Sequence, residues 1–405
     1  MRIALFTDTF PPDVNGVARA LGLLVEHASR RGHKACVVAP RVGGVARSGM
    51  ALHLDRPSIP APLYPELRAS VPWIGRRTSA ALERFGPHLV HCATEASVGW
   101  AGRRWARARG LPLVSSYCTN FAEYAAGYGL GWLTPAIWAL IRHFHAPSLV
   151  TYCPSEATRR DLRGRGFAED LQLWTRGVDA ELFDPGRRSE EVRARLAPGA
   201  RVVLTYVGRI APEKRLDLLL EAWPVIRERA TRPVALVLVG HGPAFHALHA
   251  SAPAGVHFTG YLHGEALATA YASSDLFVFP SDTETFGQVV TEAFASGLPV
   301  VAPARGGVVD LVRPETTGLL FEPGDADGFA AAALRLVEDD ELRTRLGGMA
   351  RIDALGRSWD DVFERLFASY EELLPSSDET VTRTSAYGAA GRPRFRTSGD
   401  VGRPL

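Results

Sequence analysis

The sequence predicts an α/β protein built from two doubly wound, Rossmann-like halves that face each other across a cleft. Short apolar runs alternate with segments of helical periodicity, and this alternation restarts near residue 201. Continuous apolar strands between helices are typical of parallel sheets that are covered on both faces. A polar stretch over 184–200, with a proline near each end, separates the two series. The length of 405 residues also fits two to three domains.

The first series opens with an apolar strand and an amphipathic helix over 16–31, in which Val17, Leu21 and Leu24 recur at helical spacing. Its strands are predicted over 2–6, 35–39, 89–92, 113–117 and 149–153. The segment 132–141 (WLTPAIWALI) is strongly apolar, and we predict it to be loop-like.

The second series repeats the architecture without repeating the sequence. Strands are predicted over 201–207, 234–239, 276–280 and 299–302, and helices over 216–229, 266–273, 287–295, 325–340 and 360–374. We therefore predict a first domain over 1–185, a second over 186–357 and a separate C-terminal helix over 358–374. Residues 375–405 lack apolar periodicity, which predicts a disordered tail.

Charge is distributed unevenly along the chain. Residues 1–180 contain 22 Lys and Arg against 13 Asp and Glu, a balance of +9, whereas the remainder carries −7 and the whole chain +2. A basic first half suits an anionic partner surface, and unequal solvated faces on two domains explain it equally well. Lys34 and Lys214 are the only two lysines.

Cysteine spacing and hydropathy argue against several classes of protein. Cys36, Cys92, Cys118 and Cys153 form no CxxC pair or zinc-type cluster, and a reduced cytosolic setting fits them. No apolar run reaches 18 residues, so we expect no membrane-spanning segment and no signal peptide.

Loops that follow predicted strands carry the candidate chemistry, because ligands of doubly wound sheets bind beyond the carboxyl ends of the strands. Gly16 begins a helix and lets a ligand approach its N-terminus, although a plain turn explains it equally well. Arg209 and Lys214 suit a diphosphate; a solvated helix start, in which Glu213 could pair locally with either cation, is the alternative. We interpret Gly306–Gly307 as an ordinary glycine turn.

The segment from Ser281 to Pro299 has the most specific pattern. Glu284 precedes a helix and Glu292 follows eight residues later, near the same face of that helix. Two carboxylates so placed accept hydrogen bonds from sugar and ribose hydroxyls. A first-turn glutamate that stabilises the helix dipole would explain Glu284 but not Glu292.

In combination, these motifs resemble the family 4 retaining glycosyltransferases of the GT-B fold. The resemblance is carried by Gly208-Arg-x4-Lys214, by Glu284-x7-Glu292 with Phe-Gly between, by Ser296-Gly-Leu-Pro and by the opening loop Thr9–Val17. It covers about residues 1–374. The segments Tyr117–Phe121 and Trp174–Asp179 look most like the branch with bacterial mannosyltransferases and sulfoquinovosyl lipid synthases.

The resemblance implies roles for particular residues. Arg209 and Lys214 would neutralise the departing diphosphate, Glu284 would hold the donor sugar and Glu292 the ribose, and helix 360–374 would cross back to the first domain. The other implied donor-binding residues are Gly16, Gly208, Gly240, Gly242, Leu262, Phe286, Gly287, Gln288 and Val289. The implied acceptor-side residues are Asn15, Tyr117, Asn120 and Tyr124.

One position departs from the family pattern, since relatives commonly have histidine where this chain has Cys118. A thiol is mostly protonated near neutral pH and cannot replace the hydrogen bonds of an imidazole. The alternative hypothesis is therefore a nucleotide-sugar-binding protein with lost or reduced catalysis. An epimerase or a phosphorylase on the same architecture is a third hypothesis.

The leading hypothesis is an enzyme, a hexosyltransferase with mannose favoured. The resemblance implies a GDP-mannose or UDP-sugar donor, a lipid or saccharide acceptor, no bound metal, no further cofactor and no nucleic-acid partner. The basic first half and the 132–141 segment suit an anionic membrane surface, which predicts a cytoplasmic enzyme peripheral to the inner face of the plasma membrane.

Overall fold

Two parallel β-sheets, one in each half of the chain, organise the computed structural model. The structure describes residues 1–41, 50–61, 64–127, 129–168 and 170–374, so the predicted tail lies outside the described residues. Both sheets are covered by helices, and the predicted α/β class with two doubly wound halves is confirmed. The exact domain boundaries stay a prediction.

The first sheet contains seven parallel strands among the described residues, in the order β3-β2-β1-β6-β7-β8-β9. They are β1 Arg2–Phe6, β2 Lys34–Pro40, β3 Ala51–Arg56, β6 Leu89–Cys92, β7 Leu113–Ser116, β8 Val150–Cys153 and β9 Asp170–Leu173. The two strands between β3 and β6 pair antiparallel, as β4 Ile59–Ala61 and β5 Tyr64–Ala69.

The second sheet contains six parallel strands within the described ranges, in the order β12-β11-β10-β13-β14-β15. They are β10 Val202–Val207, β11 Val234–Val239, β12 Val256–Gly260, β13 Leu276–Val278, β14 Val300–Pro303 and β15 Gly318–Phe321. Strand order reverses between β1 and β6 in the first sheet and between β10 and β13 in the second. Such switch points open a crevice for ligands at the carboxyl edge of a sheet.

Helices flank both sheets. In the first half they are α1 Gly16–Arg30, α2 Arg76–Phe85, α3 Ser97–Ala108, α4 Phe121–Gly127, α5 Thr134–His145 and α6 Glu156–Gly164. The later helices are α7 Glu190–Leu196, α8 Leu216–Arg229, α9 Phe245–Ala250, α10 Gly264–Ala272, α11 Gln288–Ala295, α12 Ala326–Glu338, α13 Asp340–Leu355 and α14 Trp359–Glu372. Short 3₁₀ turns cover Gly131–Leu133, Pro185–Arg187, Pro212–Lys214 and Gly306–Asp310.

The expectation of a loop over 132–141 is wrong, because most of this segment forms α5. Pro135 lies in the first turn of the helix, where a missing N–H costs no hydrogen bond and the fixed φ favours helix. Trp138 and Ile141 are buried, whereas Trp132 and Leu140 are exposed.

Helix α14 packs against the first half although it follows the second half in sequence. Its Phe363 and Leu366 lie in the same buried cluster as Ile3 and Leu5. The chain passes close to Gly177, where a Cβ would lie 2.5 Å from the backbone nitrogen of Trp359. Glycine at position 177 therefore allows the segment at the start of α14 to pass close to the backbone of the first half.

Candidate active site

A cavity of about 700 Å³ lies between the two halves, at the carboxyl edges of both sheets. Its walls come from the loops after β1, β10, β11 and β13 and from the first turns of α1 and α11. The predicted site residues that line it are Asn15, Gly16, Gly208, Arg209, Lys214, Gly240, Leu262, Glu284, Gln288, Val289 and Glu292. Residues far apart in the sequence thus meet at one cavity.

Arg209 is held in place by a neighbour on its own loop. Its Nη1 donates a hydrogen bond of 3.0 Å to Oε1 of Glu213, a buried carboxylate. Gly208 precedes it with φ near 155°, and a Cβ there would lie 2.6 Å from the Tyr206 hydroxyl. The local pairing with Glu213, which the sequence left open, is present, and it orients the guanidinium at the cavity wall.

Lys214 and Glu284 form an ion pair at the same wall. Their side chains are 14% and 17% exposed, so this pair is only partly screened by solvent. The sequence suggested phosphate binding for one and sugar binding for the other, and the structure joins the two groups directly. A ligand in this corner would meet an ammonium and a carboxylate together.

Glu292 lies deeper, on α11, with a side chain only 4% exposed. Burial raises the pKa of its carboxyl group, while an ion pair with Arg19 and a hydrogen bond from Tyr271 oppose that rise. The Tyr271 hydroxyl donates to Oε2 over 3.3 Å. A buried carboxylate with these partners offers acceptor sites to hydroxyl groups of a ligand.

Arg19, which no sequence motif singled out, reaches Glu292 from α1 in the opposite half. One signal was available, because Arg19 follows Gly16 by three residues and so lies on the same face of α1. A Cβ at Gly16 would meet no atom within 4 Å, so the N-terminus of α1 is open towards the cavity. Helix N-termini attract negative charge.

Asn15 lines the cavity, but its side chain serves mainly to cap α1. Its Oδ1 accepts from the backbone N–H of Ala18 at 2.9 Å, and its Nδ2 donates to Oγ1 of Thr9 at 2.7 Å. Asn15 therefore has a local structural role, and its acceptor-side role stays a prediction.

Several predicted residues lie outside the lining of this cavity. Gly242 packs against the second half, since a Cβ there would lie 2.4 Å from the carbonyl oxygen of Ile210. Phe286 is buried in the core, and Gly287 has φ near 101° as it enters α11. Backbone geometry and close packing favour glycine at positions 242 and 287, and the donor-binding roles of Gly242, Phe286 and Gly287 stay predictions.

The proposed acceptor-side aromatic residues belong largely to a separate cluster. Tyr117 is 1% exposed and stacks on Trp138, with ring centroids 6.1 Å apart. Its hydroxyl donates to Asn120 Oδ1 over 3.2 Å. The backbone of Tyr124 belongs to α4, and its side chain lies outside the described residues. The acceptor contacts of these three residues stay predictions.

Cys118 is half-buried beside the loop that carries Glu284. Burial raises the pKa of its thiol, and its Sγ accepts a hydrogen bond of 3.3 Å from Arg176. Arg176 is itself buried and lies over the ring of Trp174. The thiol is therefore neutral at pH 7 and suited to accepting a hydrogen bond rather than to nucleophilic attack.

The turn at Gly306–Gly307 supports the Glu284 loop from behind. The N–H of Gly307 donates to the carbonyl of Glu284 at 2.7 Å, and a Cβ on Gly307 would lie 2.3 Å from the Thr285 carbonyl oxygen. Close backbone packing explains the glycine at Gly307.

Two of the implied donor-binding residues, Gly240 and Leu262, line the cavity together with Tyr261. The Tyr261 hydroxyl donates to the carbonyl of His241 over 3.2 Å. Across the described part of the chain, no group of three or more His, Cys, Asp or Glu side chains is arranged to hold a metal ion. None of the helices described there has the length and hydropathy needed to cross a bilayer.

Two family models match consecutive parts of the chain. The model described as Glycosyltransferase Family 4 matches residues 14–182, and the model described as Glycosyl transferases group 1 matches residues 201–339. The two matches together contain both walls of the cavity.

Individual proteins are similar over nearly the same span. A GDP-mannose-dependent alpha-mannosyltransferase of Mycobacterium tuberculosis (strain CDC 1551 / Oshkosh) is 38% identical over 379 residues, which cover 92% of this chain and 97% of that protein. Sulfoquinovosyl transferase SQD2 of Arabidopsis thaliana is 34% identical over 369 residues, which cover 88% of this chain and 71% of that protein. Sucrose-phosphate synthase from Thermosynechococcus elongatus has a similar structure, with a TM-score of 0.76 at 22% identity over 92% of this chain and 99% of that one.

Proposed function

The chain belongs to the family 4 glycosyltransferases of the GT-B fold, and on this premise we propose that it transfers mannose from GDP-mannose to a hydroxyl group of a lipid or a saccharide. The hexosyltransferase activity that the motifs indicated is confirmed by this kinship, which does not favour a binding protein with lost catalysis. The choice of GDP-mannose rests on the mannosyltransferases to which the chain is similar.

One observation carries the proposal: the predicted cations Arg209 and Lys214 and the predicted carboxylates Glu284 and Glu292 all line a single cavity between the halves. Arg209 and Lys214 neutralise the diphosphate as the bond from the anomeric carbon to the phosphate oxygen breaks. Fixed cations in a partly desolvated site stabilise developing negative charge at low reorganisation cost. Glu284 accepts hydrogen bonds from the donor sugar, and Glu292 from the ribose.

The sugar retains its anomeric configuration if the acceptor hydroxyl attacks the anomeric carbon from the face that the diphosphate leaves. The departing phosphate oxygen then takes the acceptor proton, so the protein needs no separate base for this step. The proposal assigns charge neutralisation to Arg209 and Lys214 rather than to a bound metal ion. Activity in the presence of EDTA tests that assignment.

The acceptor side of the proposal places the enzyme at the cytoplasmic face of a membrane. Trp132, in the 3₁₀ turn that precedes α5, is 76% exposed. Leu140, on α5 itself, is 54% exposed. Arg142 is exposed on the same helix. Apolar side chains beside a cation suit an interface with anionic lipids. Binding to phosphatidylglycerol vesicles, compared with phosphatidylcholine vesicles, tests this placement.

The central experiment measures sugar transfer directly. The purified full chain is incubated with GDP-mannose, UDP-glucose or UDP-galactose and with diacylglycerol or phosphatidylinositol vesicles, with and without EDTA. We expect GDP release and an α-linked mannosyl product whose anomeric configuration is read by NMR. Absence of transfer from every donor, in a protein whose thermal midpoint still rises with GDP, would reject the proposed activity.

A further inference from the structure

Thr285 joins the two halves next to the predicted sugar-binding carboxylate, Glu284. Two hydroxyl groups at the N-terminus of α6, in the first half, donate to the Thr285 carbonyl. Ser155 Oγ lies 2.7 Å and Thr158 Oγ1 lies 3.0 Å from that oxygen. One carbonyl of the second half is thus bound twice by the first half.

The Thr285 side chain makes a third contact across the cleft. Its Oγ1 donates to the carbonyl of Cys118 over 2.9 Å. Cys118 follows β7, and Ser155 follows β8, so neighbouring strands of the first sheet hold the two sides of Thr285. The contact therefore depends on the first sheet as a unit rather than on one loop.

The same loop is also fixed to its own half. The N–H of Gly307 donates to the carbonyl of Glu284 at 2.7 Å, and the Glu284 carboxylate pairs with Lys214. When the halves separate, the bonds to Ser155, Thr158 and Cys118 break while those within the second half remain. Glu284 is then held on one side only.

We propose that Thr285 is a positioning residue that couples closure of the two halves to placement of Glu284 on the donor sugar. The inference rests on the proposed transfer activity for its kinetic readout. Closure brings three hydrogen bonds to the residue adjacent to Glu284, which narrows the range of orientations open to its carboxylate. If a group that orients a reacting sugar is displaced by about 1 Å, the rate falls by up to about a hundredfold.

The test compares Thr285→Val with Thr285→Ser in the full chain. Valine keeps the branched shape and removes the hydroxyl that reaches Cys118, whereas serine keeps the hydroxyl. We expect T285V to lower kcat about tenfold with little change in KM for GDP-mannose, and T285S to restore most of the rate. Thr158→Val should act in the same direction, and the double variant should lose less than the product of the two effects.

A matched control crosses the same interface without an ion pair to Thr285 or Glu284. Glu123 and Arg305 pair at 3.5 Å between the halves, in an exposed position. Glu123→Gln should leave kcat within about twofold, because exposed ion pairs contribute little. A T285V enzyme with the wild-type kcat, or an E123Q enzyme that slows as much as T285V, would overturn the inference.

A second measurement does not depend on catalysis. Hydrogen exchange of the amides over 282–287 should be faster in T285V than in the wild type, with unchanged exchange in the core strand β11. Equal exchange over 282–287 in both proteins would reject the inference even if the wild type transferred no sugar. Failure of the wild type to transfer sugar, with faster exchange in T285V, would reject the proposed activity alone.

Discussion

The two walls of the cavity differ in how their charges are paired. On the second-half wall, Arg209 pairs with Glu213 and Lys214 pairs with Glu284, both within that half. On the first-half wall, Arg19 pairs across the cleft with Glu292. The second half therefore carries a preassembled charge cluster, whereas the first half adds its charge only when the halves are together. Substitutions on the second-half wall should therefore affect the chemical step, whereas substitutions on the first-half wall should affect how the two halves complete the site.

The largest effect is expected from Lys214→Ala on the second-half wall. Loss of the ammonium leaves the departing diphosphate with less compensating charge, and kcat should fall by about 10² to 10³. Steady-state kinetics with GDP-mannose measure this. Removal of a preorganised charge acts on the transition state, so KM should change much less than kcat.

Lys34, the other lysine of the chain, provides the matched control. It is exposed at the start of β2, away from the cavity lining. Lys34→Ala should leave kcat and KM unchanged within about twofold, as most surface substitutions do. A K214A enzyme that behaved like K34A would show that the paired charges of the second wall are structural rather than catalytic.

A smaller and pH-dependent effect is expected from Arg19→Met on the first-half wall. Burial already raises the pKa of Glu292, and loss of Arg19 removes the main influence that lowers it. As pH falls through this raised pKa, the carboxylate becomes protonated and loses acceptor capacity for ribose hydroxyls. GDP affinity of R19M should therefore fall more steeply than that of the wild type as the pH is lowered from 8 to 6.

Arg19→Lys keeps a cation at the same position and should follow the wild-type pH profile. Calorimetric titration measures the GDP affinity of all three proteins at several pH values. Comparison of the proteins at the same pH cancels the effect of protonation of GDP itself. Parallel profiles for R19M and the wild type would mean that Glu292 does not depend on the charge from the first half.

The difference between the two walls also separates what the sequence predicts from what it does not. Arg209, Lys214, Glu284 and Glu292 lie on loops or helix starts after apolar strands, so local patterns identified them. Arg19 was missed because its partner lies 273 positions away, and no local pattern encodes such a pairing. The fold class followed from the alternation of apolar runs with segments of helical periodicity.

One error has a physical cause of the same kind. The 132–141 segment was assigned as a loop because its proline and continuous apolar residues conceal a helical face that tertiary packing selects. The acceptor-side role of Tyr117, whose ring stacks on Trp138, stays a prediction.

The smallest effect is expected at Cys118, which lies in the first half beside the Glu284 loop. The thiol accepts a hydrogen bond from Arg176, and burial raises its pKa, so no step of the transfer needs it ionised. Cys118→Ser supplies an oxygen that accepts the same hydrogen bond and should keep kcat within about threefold. A loss of more than a hundredfold would instead assign chemistry to the sulfur.

Cys118→His separates the two interpretations of this position. Arg176 already lies 3.3 Å from the sulfur, so an imidazole there would crowd a guanidinium and gain no favourable charge. We therefore expect kcat of C118H to equal or fall below that of the wild type, measured with the same donor and acceptor. A rise of tenfold or more would show that the cysteine limits catalysis. The rate would then depend on the first half rather than on the charged residues of the second-half wall.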